Sequence, residues 1–202
     1  VWKCAVVLAV LTDHWKNFQL SPRTFAVIGD GHGVFGALIR RYRSDSKVYT
    51  IDLPKSLVFQ ARTHTRAEKD SPMALLSGEW TGAHEGASVV FVLPQAVEEI
   101  PGPIDCAVNI ASMQEMTLFS ITSYFAFLRR RSTPASRFYC INRLRKELPD
   151  GHIISFAEYP WNPRDVVFLD GVCPFYTHYL APGFCRQGPR VWGVRLPAVG
   201  YF

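Results

Sequence analysis

An α/β fold with a mostly parallel sheet and helices on both faces is predicted by three observations on the 202-residue sequence. Short apolar segments typical of buried parallel strands alternate with segments of helical periodicity. Right-handed crossovers between parallel strands place such helices on the two faces of a sheet. A glycine-rich turn follows the first strand directly, which is typical of a Rossmann-like sheet. We therefore expect an α/β fold of Rossmann-like type.

The elements can be assigned in order along the chain. Residues 1–18 predict a helix, 24–28 a strand, 34–42 a helix and 47–51 a second strand. Pro54 suits the first turn of a helix that continues to about Arg62, because proline loses no helical hydrogen bond there. A longer helix is expected at about 114–131, and further strands at 87–93, 104–110, 138–141, 153–156, 166–169 and 191–196.

The length and the hydrophobic content of 48% fit one domain with a sizeable core, which we expect to span 1–202. Because the chain begins with Val1 and not with Met, we also expect part of the natural N-terminus to be missing. The apolar residues 1–12 are too short to cross about 30 Å of hydrocarbon. They lack the features of a signal peptide, so they predict a buried helix and no membrane span. We expect a soluble protein of the cytoplasm.

Charge and cysteine spacing argue against several other classes of protein. The net charge of +5 comes from arginine clusters near the ends of predicted elements, where they complement the helix dipole. This placement argues against a nucleic-acid partner. The five cysteines contain no C-x-x-C pair, so we expect free thiols and neither a zinc site nor a disulfide framework. No metal site is predicted, and His64 with Glu68 is expected on a solvated helix face.

The glycine turn is the first candidate site. Gly29, Gly31 and Gly33, with Asp30 between the first two, lie between a predicted strand and a predicted helix. Glycines there let the backbone approach a ligand closely. Asp52 ends the second strand and precedes Leu53, a position from which a carboxylate accepts hydrogen bonds from ribose hydroxyls. Asp52 also suits the cap of the helix beginning near Pro54, and the two roles are compatible.

The spacing of the glycines fits two cofactors. Residues 31–36 satisfy the dinucleotide pattern G-x-G-x-x-G, which keeps an NAD(P)-dependent oxidoreductase open. With Gly29 the run becomes G-x-G-x-G, which resembles the first motif of Rossmann-like methyltransferases. The turn therefore predicts a nucleoside cofactor and leaves its identity to other segments.

Three later segments resemble the sugar O-methyltransferase family. Residues 109–116 are similar to its N-x-x-S-M-x-E-M segment, and residues 138–151 and 156–161 follow in the same order. The resemblance implies a class I methyltransferase fold, S-adenosylmethionine as cofactor and methyl transfer to a sugar hydroxyl. The substrate would be a small molecule or glycan, and a sugar linked to a nucleotide or a lipid is included among the candidates. Val27 replaces an acid common in that family, which keeps open a catalytically inactive relative that binds a partner.

The resemblance and the chemistry of methyl transfer indicate several roles after the fourth strand. Asn109 and Ser112 are candidates for cofactor contacts, although Ser112 with Glu115 also fits a helix capping box. Glu115 is the first candidate for the base that removes the hydroxyl proton, and an acid at a helix N-terminus is its alternative role. His178 is the second candidate base.

Four residues are candidates for binding the sugar. Asn142 and Arg143 follow the next strand and can hydrogen-bond a sugar or its phosphate, although Arg143 also fits a solvated surface charge. Tyr159 and Trp161 have aromatic faces suited to stacking on a sugar ring. Aromatic residues at this density are also typical of a hydrophobic core, so both roles remain open for them.

Overall fold

The computed structural model describes residues 1–173, 175 and 190–195. The chain divides into two compact units, Val1–Cys106 and Ala107–Phe202. The expectation of one domain over 1–202 stays a prediction. Each unit is described by itself.

The first unit is a parallel sheet with its helices. Its strands are β1 (Thr24–Ile28), β2 (Lys47–Ile51), β3 (Met73–Leu76) and β4 (Val89–Val92), in the spatial order β3-β4-β2-β1 with every pairing parallel. Its helices are α1 (Trp2–Asn17), α2 (Val34–Tyr42), α3 (Pro54–Ala67) and the short α4 (Gly82–Gly86), and a 3-10 helix covers Pro94–Glu99.

Burial explains why the central strands form. The last four residues of β1 and of β2 are all buried, as expected for strands covered on both faces. Helix α1 buries Val7, Leu11 and Trp15, which lie four residues apart on one stripe. The Trp15 ring lies 5.6 Å from the ring of Phe25 in β1, so this stripe packs on the sheet.

The second unit combines strands with one long helix. Strand β5 (Cys106–Ile110) is followed by α5 (Leu118–Arg131), β6 (Arg137–Asn142), β7 (Arg145–Glu147), β8 (Ile153–Ser155), β9 (Val166–Val172) and β10 (Arg190–Arg195). The strand order is β5-β6-β10-β9, and β10 is antiparallel to both of its neighbours. Strands β7 and β8 form a separate antiparallel pair. Two 3-10 helices cover Met113–Glu115 and Phe156–Glu158.

The structure corrects the predicted start of the long helix. The helix was expected from about residue 114, but α5 begins at Leu118 after the 3-10 turn Met113–Glu115. Ser112 makes no side-chain cap bond, so the predicted capping box with Glu115 is wrong. Thr117 caps α5 instead, and its side chain accepts a hydrogen bond from the Ser120 amide at 3.2 Å.

Two further expectations are also corrected. Helix α3 continues to Ala67, beyond the predicted end near Arg62, and the segment after it contains β3 and α4, which were not predicted. His64 does not lie on a solvated face, because its side chain is only 2% exposed. Its ring packs edge-on against Phe91 of β4 at 5.7 Å, so α3 turns this histidine toward the sheet.

Three further observations concern the described residues. Within them, no helix is both long enough and apolar enough to cross a membrane. Cys4 and Cys140 carry free thiols. No group of three histidine, cysteine or acidic side chains in the same part of the chain is placed to hold a metal ion.

Candidate functional site

The glycine turn between β1 and α2 is built on left-handed backbone. Gly29, Gly31 and Gly33 have φ angles of 71°, 61° and 76°, a region that side chains other than glycine rarely adopt. A Cβ on Gly33 would lie 2.8 Å from Cα of Gln60, so glycine there lets the turn approach α3. A Cβ on Gly31 would meet nothing within 4 Å. The backbone at Gly31 therefore faces open space.

Asp30 holds the start of α2. Its Oδ1 accepts a hydrogen bond from the Phe35 amide at 3.0 Å, and its Oδ2 accepts one from the Gly36 amide at 2.7 Å. Burial raises the pKa of this carboxyl to about 7, against the two amide bonds that lower it, and the nearby charge of Asp52 raises it further. The predicted cofactor residue Asp30 thus directs both oxygens to the helix N-terminus.

Asp52 joins the glycine turn to α3. Its Oδ2 accepts hydrogen bonds from the Gly31 amide at 3.0 Å and from Gln60 Nε2 at 2.8 Å. Its Oδ1 accepts one from the Leu53 amide at 2.8 Å. A carboxylate has about four acceptor positions, so one remains for a ligand. Leu53 beside it is 65% exposed, which leaves an apolar side chain next to the acid.

Backbone hydrogen bonds place the turn and Asp52 at the same edge of the sheet. The Gly29 amide donates to Ile51 O at 2.8 Å, and the Asp52 amide donates to Val92 O at 3.2 Å. The carboxyl ends of β1, β2 and β4 therefore meet there. Ligands of open α/β sheets bind at this edge. The structure thus brings together the predicted residues Gly29, Asp30, Gly31, Gly33, Asp52 and Leu53.

Gln60 and His64 of α3 pack against the glycine turn and the start of α2, and neither was predicted as a site residue. Gln60 is fully buried and His64 nearly so, and both Gln60 Oε1 and His64 Nε2 are buried without a hydrogen-bond partner. Burial lowers the pKa of His64 to about 4, although Glu68 raises it. Gln60 and His64 share the buried stripe of α3 with Leu57. A polar residue on the buried stripe of a helix is unusual, and this spacing was the sequence signal that could have identified both.

In the second unit, a polar network follows β5 and β6. Asn142 Nδ2 donates to Asn109 Oδ1 at 2.7 Å, and Asn109 Nδ2 donates to Ser112 Oγ. Asn142 Oδ1 accepts from the Gln114 amide at 3.0 Å, and Gln114 Oε1 accepts from the Arg143 amide at 2.9 Å. Asn109 and Asn142 are fully buried. These side chains therefore fix the segment after β5 to the end of β6.

Glu115 is the exposed acid of this segment. Its side chain is 50% exposed, and Oε1 lies 3.5 Å from Lys146 Nζ of β7. The same oxygen accepts a hydrogen bond from Gln114 Nε2 at 3.3 Å. Glu115 and Arg143, whose side chain is exposed, were predicted as site residues, and Gln114 and Lys146 were not. Their contacts depend on how β7 lies beside the 3-10 turn, for which the sequence has no local signal.

Tyr159 and Trp161 belong to an aromatic cluster with Phe125 and Phe156. The Trp161 ring lies 4.8 Å from that of Phe125, and the Tyr159 ring lies 5.1 Å from that of Phe156. Tyr159 is 3% exposed, and burial raises the pKa of its hydroxyl. Trp161 is half-buried and donates from Nε1 to Phe156 O at 2.8 Å. Of the two roles that the sequence left open for these aromatic residues, the contacts fit packing in the hydrophobic core. His178 lies outside the described residues.

Comparison with known proteins identifies the class of fold. No family model matches the chain, and no curated protein matches it in sequence. Mitomycin 7-O-methyltransferase is similar in structure, with 15% identity over 87% of this chain and 49% of that chain and a TM-score of 0.56. At such identities the likeness establishes the fold. The chain has the Rossmann-like fold of class I methyltransferases, which confirms the predicted fold class.

Two further similar structures contain the cofactor or its product. Magnesium protoporphyrin IX methyltransferase from Synechocystis PCC 6803, with bound S-adenosylmethionine, has 11% identity over 95% of this chain and 78% of that chain, with a TM-score of 0.57. Geranyl diphosphate C-methyltransferase from Streptomyces coelicolor A3(2), with bound S-adenosylhomocysteine, has 14% identity over 86% and 73%, also at 0.57. The chain spans about half the length of several other methyltransferases that it matches.

Proposed function

We propose that this chain is an S-adenosylmethionine-dependent O-methyltransferase that binds its cofactor over Gly29–Gly33, with Asp52 at the ribose. The observation that carries the proposal is the contact between the Asp52 carboxylate and the Gly31 amide at 3.0 Å. A carboxylate beside a glycine backbone that faces open space supports a site for the ribose hydroxyls. Exposed Leu53 next to the acid suits the apolar face of an adenine ring.

The state of the α2 N-terminus favours S-adenosylmethionine over a dinucleotide. A dinucleotide places its pyrophosphate at this helix N-terminus, where it needs free amides and a positive field. Here Asp30 already takes the Phe35 and Gly36 amides, and its carboxylate opposes a second anion. S-adenosylmethionine carries a sulfonium and an ammonium group at the corresponding end, which an acid attracts. Asp30 therefore supports the methyltransferase function.

The proposed acceptor is a sugar hydroxyl, on the strength of the resemblance in residues 109–116, 138–151 and 156–161. S-adenosylmethionine supplies an electrophilic methyl group when bound. We assign to Glu115 the removal of the hydroxyl proton, because its carboxylate is half exposed. Lys146 holds one oxygen of Glu115, and the network of Asn109 and Asn142 holds its backbone segment. Ser112 is assigned to the cofactor and Arg143 to the sugar or its phosphate.

The cofactor assignment is tested by calorimetry with S-adenosylhomocysteine and with NADH. We expect S-adenosylhomocysteine to bind and NADH not to bind. Asp52→Ala should weaken S-adenosylhomocysteine about tenfold or more, because a carboxylate bond to a hydroxyl is lost. Asp70→Ala, at an exposed acid of the same unit, is the control and should leave binding unchanged. Tighter binding of NADH than of S-adenosylhomocysteine would establish the oxidoreductase alternative.

The base is tested by methyl transfer to a panel of free, nucleotide-linked and lipid-linked sugars. Glu115→Gln should lower kcat by about 10²–10⁴-fold, the range for general base catalysis, with little change in cofactor affinity. Glu158→Gln changes another exposed acid in the same way and should have no effect. Loss of activity in His178→Asn alone would move the base to His178. A wild type that binds S-adenosylhomocysteine but methylates no acceptor would indicate the inactive relative.

A further inference from the structure

We propose that Gln60 is a positioning residue: its side-chain amide holds the Asp52 carboxylate toward the glycine turn, and its loss weakens cofactor binding there. The inference rests on the proposed function, because it concerns the same edge of the sheet. It adds a residue of α3 that the sequence did not single out and that contacts Asp52 directly.

Two hydrogen bonds meet at one oxygen of the Asp52 carboxylate. Gln60 Nε2 donates to Asp52 Oδ2 at 2.8 Å, and the Gly31 amide donates to the same oxygen at 3.0 Å. An ionised carboxylate only accepts hydrogen bonds, so the nitrogen of the Gln60 amide must face it. Gln60 thus orients the same Asp52 oxygen that accepts the hydrogen bond from the glycine turn.

Close packing holds the Gln60 side chain in place. A Cβ on Gly33 would lie 2.8 Å from Cα and 3.2 Å from Cγ of Gln60, which shows how closely the turn lies against this residue. The side chain is fully buried. It therefore has little freedom to turn its amide away from Asp52.

The other end of the Gln60 amide has no hydrogen-bond partner among the described residues. Gln60 Oε1 is buried and has no hydrogen-bond partner. A buried carbonyl without a partner destabilises the folded state, and an apolar side chain of similar length would avoid that cost. The polar group of Gln60 that makes a hydrogen bond is its donor nitrogen, and the acceptor is the Asp52 carboxylate.

The test compares Gln60→Met with the wild type. Methionine fills similar space without a donor, so we expect thermal stability to be unchanged or higher. The dissociation constant for S-adenosylhomocysteine should rise about tenfold, because Asp52 loses a donor that orients it. Hydrogen exchange of the Gly31 amide in the ligand-free protein should become faster by a similar factor. Thr65→Val, at an exposed position of the same helix, is the control and should change none of the three.

A second variant, Gln60→Glu, keeps the shape but replaces the donor by an acceptor when ionised, and should weaken binding at least as much as Gln60→Met. Lower stability of Gln60→Met with unchanged affinity and unchanged Gly31 exchange would overturn the inference. If the wild type binds no S-adenosylhomocysteine, the proposed function fails, and Gly31 exchange still decides whether Gln60 positions Asp52.

Discussion

Asp30 is an acid that sits two residues after the end of β1 and serves the backbone of α2. Its two oxygens take amides of the first helical turn, which otherwise have no partner within the helix. The anion also complements the positive end of the helix dipole. The acid expected two residues before Gly29 is absent, since Val27 stands there as a buried strand residue. At this scale, Asp30 brings a carboxyl group to the turn from a different position.

The raised pKa of Asp30 predicts a pH dependence of stability. A folded-state pKa of about 7 lies above the usual value of 3.8, so this group favours the folded state at low pH, and that contribution disappears as pH rises through 7. The free energy of unfolding of the wild type should therefore fall by about 2–3 kcal/mol between pH 5 and pH 8, relative to Asp30→Asn. Urea denaturation at both pH values measures it. Asp70→Asn is the control, and parallel pH curves for wild type and Asp30→Asn would contradict the assignment.

At the scale of elements, the approach of the glycine turn to α3 depends on one missing side chain. The structure has room for a Cβ at Gly31 and none at Gly33, where Gln60 Cα lies in the way. Both positions have positive φ, so alanine is strained at each, but only at Gly33 must α3 also move.

The two glycines therefore make a matched pair of variants. Gly31→Ala should lower the free energy of unfolding by about 1 kcal/mol, the cost of left-handed alanine. Gly33→Ala should lower it by about 3 kcal/mol, because overpacking adds to that cost. Urea denaturation of both proteins measures the difference. Equal decreases in the free energy of unfolding would mean that α3 moves to accommodate the methyl group at position 33 at no energetic cost.

The central strands of the first unit could be predicted because buried strands consist of short runs of mostly apolar residues. The segments 24–28 and 47–51 are mostly apolar and rich in β-branched residues, and both form strands with those limits. Strand β3 is apolar, but it has only four residues and none of them is β-branched, so its sequence does not indicate a strand. The end of α3 was missed because residues 63–66 are all polar, and the buried residue among them, His64, is polar as well.

The candidate site could be predicted only at positions where the residue type and its spacing indicate a function. Glycines after a strand and an acid after the next one can be recognised from spacing alone. Gln60 could not be recognised in this way, because its role depends on the register of α3 against the turn. The capping box was one of two roles open for Ser112, because its neighbours fit that pattern, whereas its hydroxyl accepts a hydrogen bond from Asn109 at the end of β5.

At the scale of the whole molecule, the second unit is held by a buried ion pair. Arg129 at the end of α5 binds Asp165 through two bonds, Nη1–Oδ1 at 2.6 Å and Nη2–Oδ2 at 2.8 Å, and donates to Pro160 O at 3.0 Å. The side chains are only 13% and 4% exposed. This pair links the last turn of the long helix to the segment before β9.

Removing the acid of this pair should be costly. Asp165→Asn leaves the Arg129 charge buried without its counterion, so the free energy of unfolding should fall by about 3–5 kcal/mol. The exposed pair of Arg23 and Asp45, with side chains 64% and 47% exposed, is the matched control. Asp45→Asn should cost less than about 1 kcal/mol. Urea denaturation of the two variants compares them, and similar losses would show that burial adds nothing to the Arg129 pair.

The arrangement around Asp52 also has a consequence for the entropy of ligand binding. Its carboxylate is held by donors from the glycine turn, from its own neighbour Leu53 and from α3 before any ligand arrives. The rotational freedom of that side chain is therefore lost during folding, and a ligand does not have to order it. Affinity at this edge is then linked to the folding of the first unit: a substitution that loosens α3 makes the acid mobile and shifts that entropic cost back onto binding.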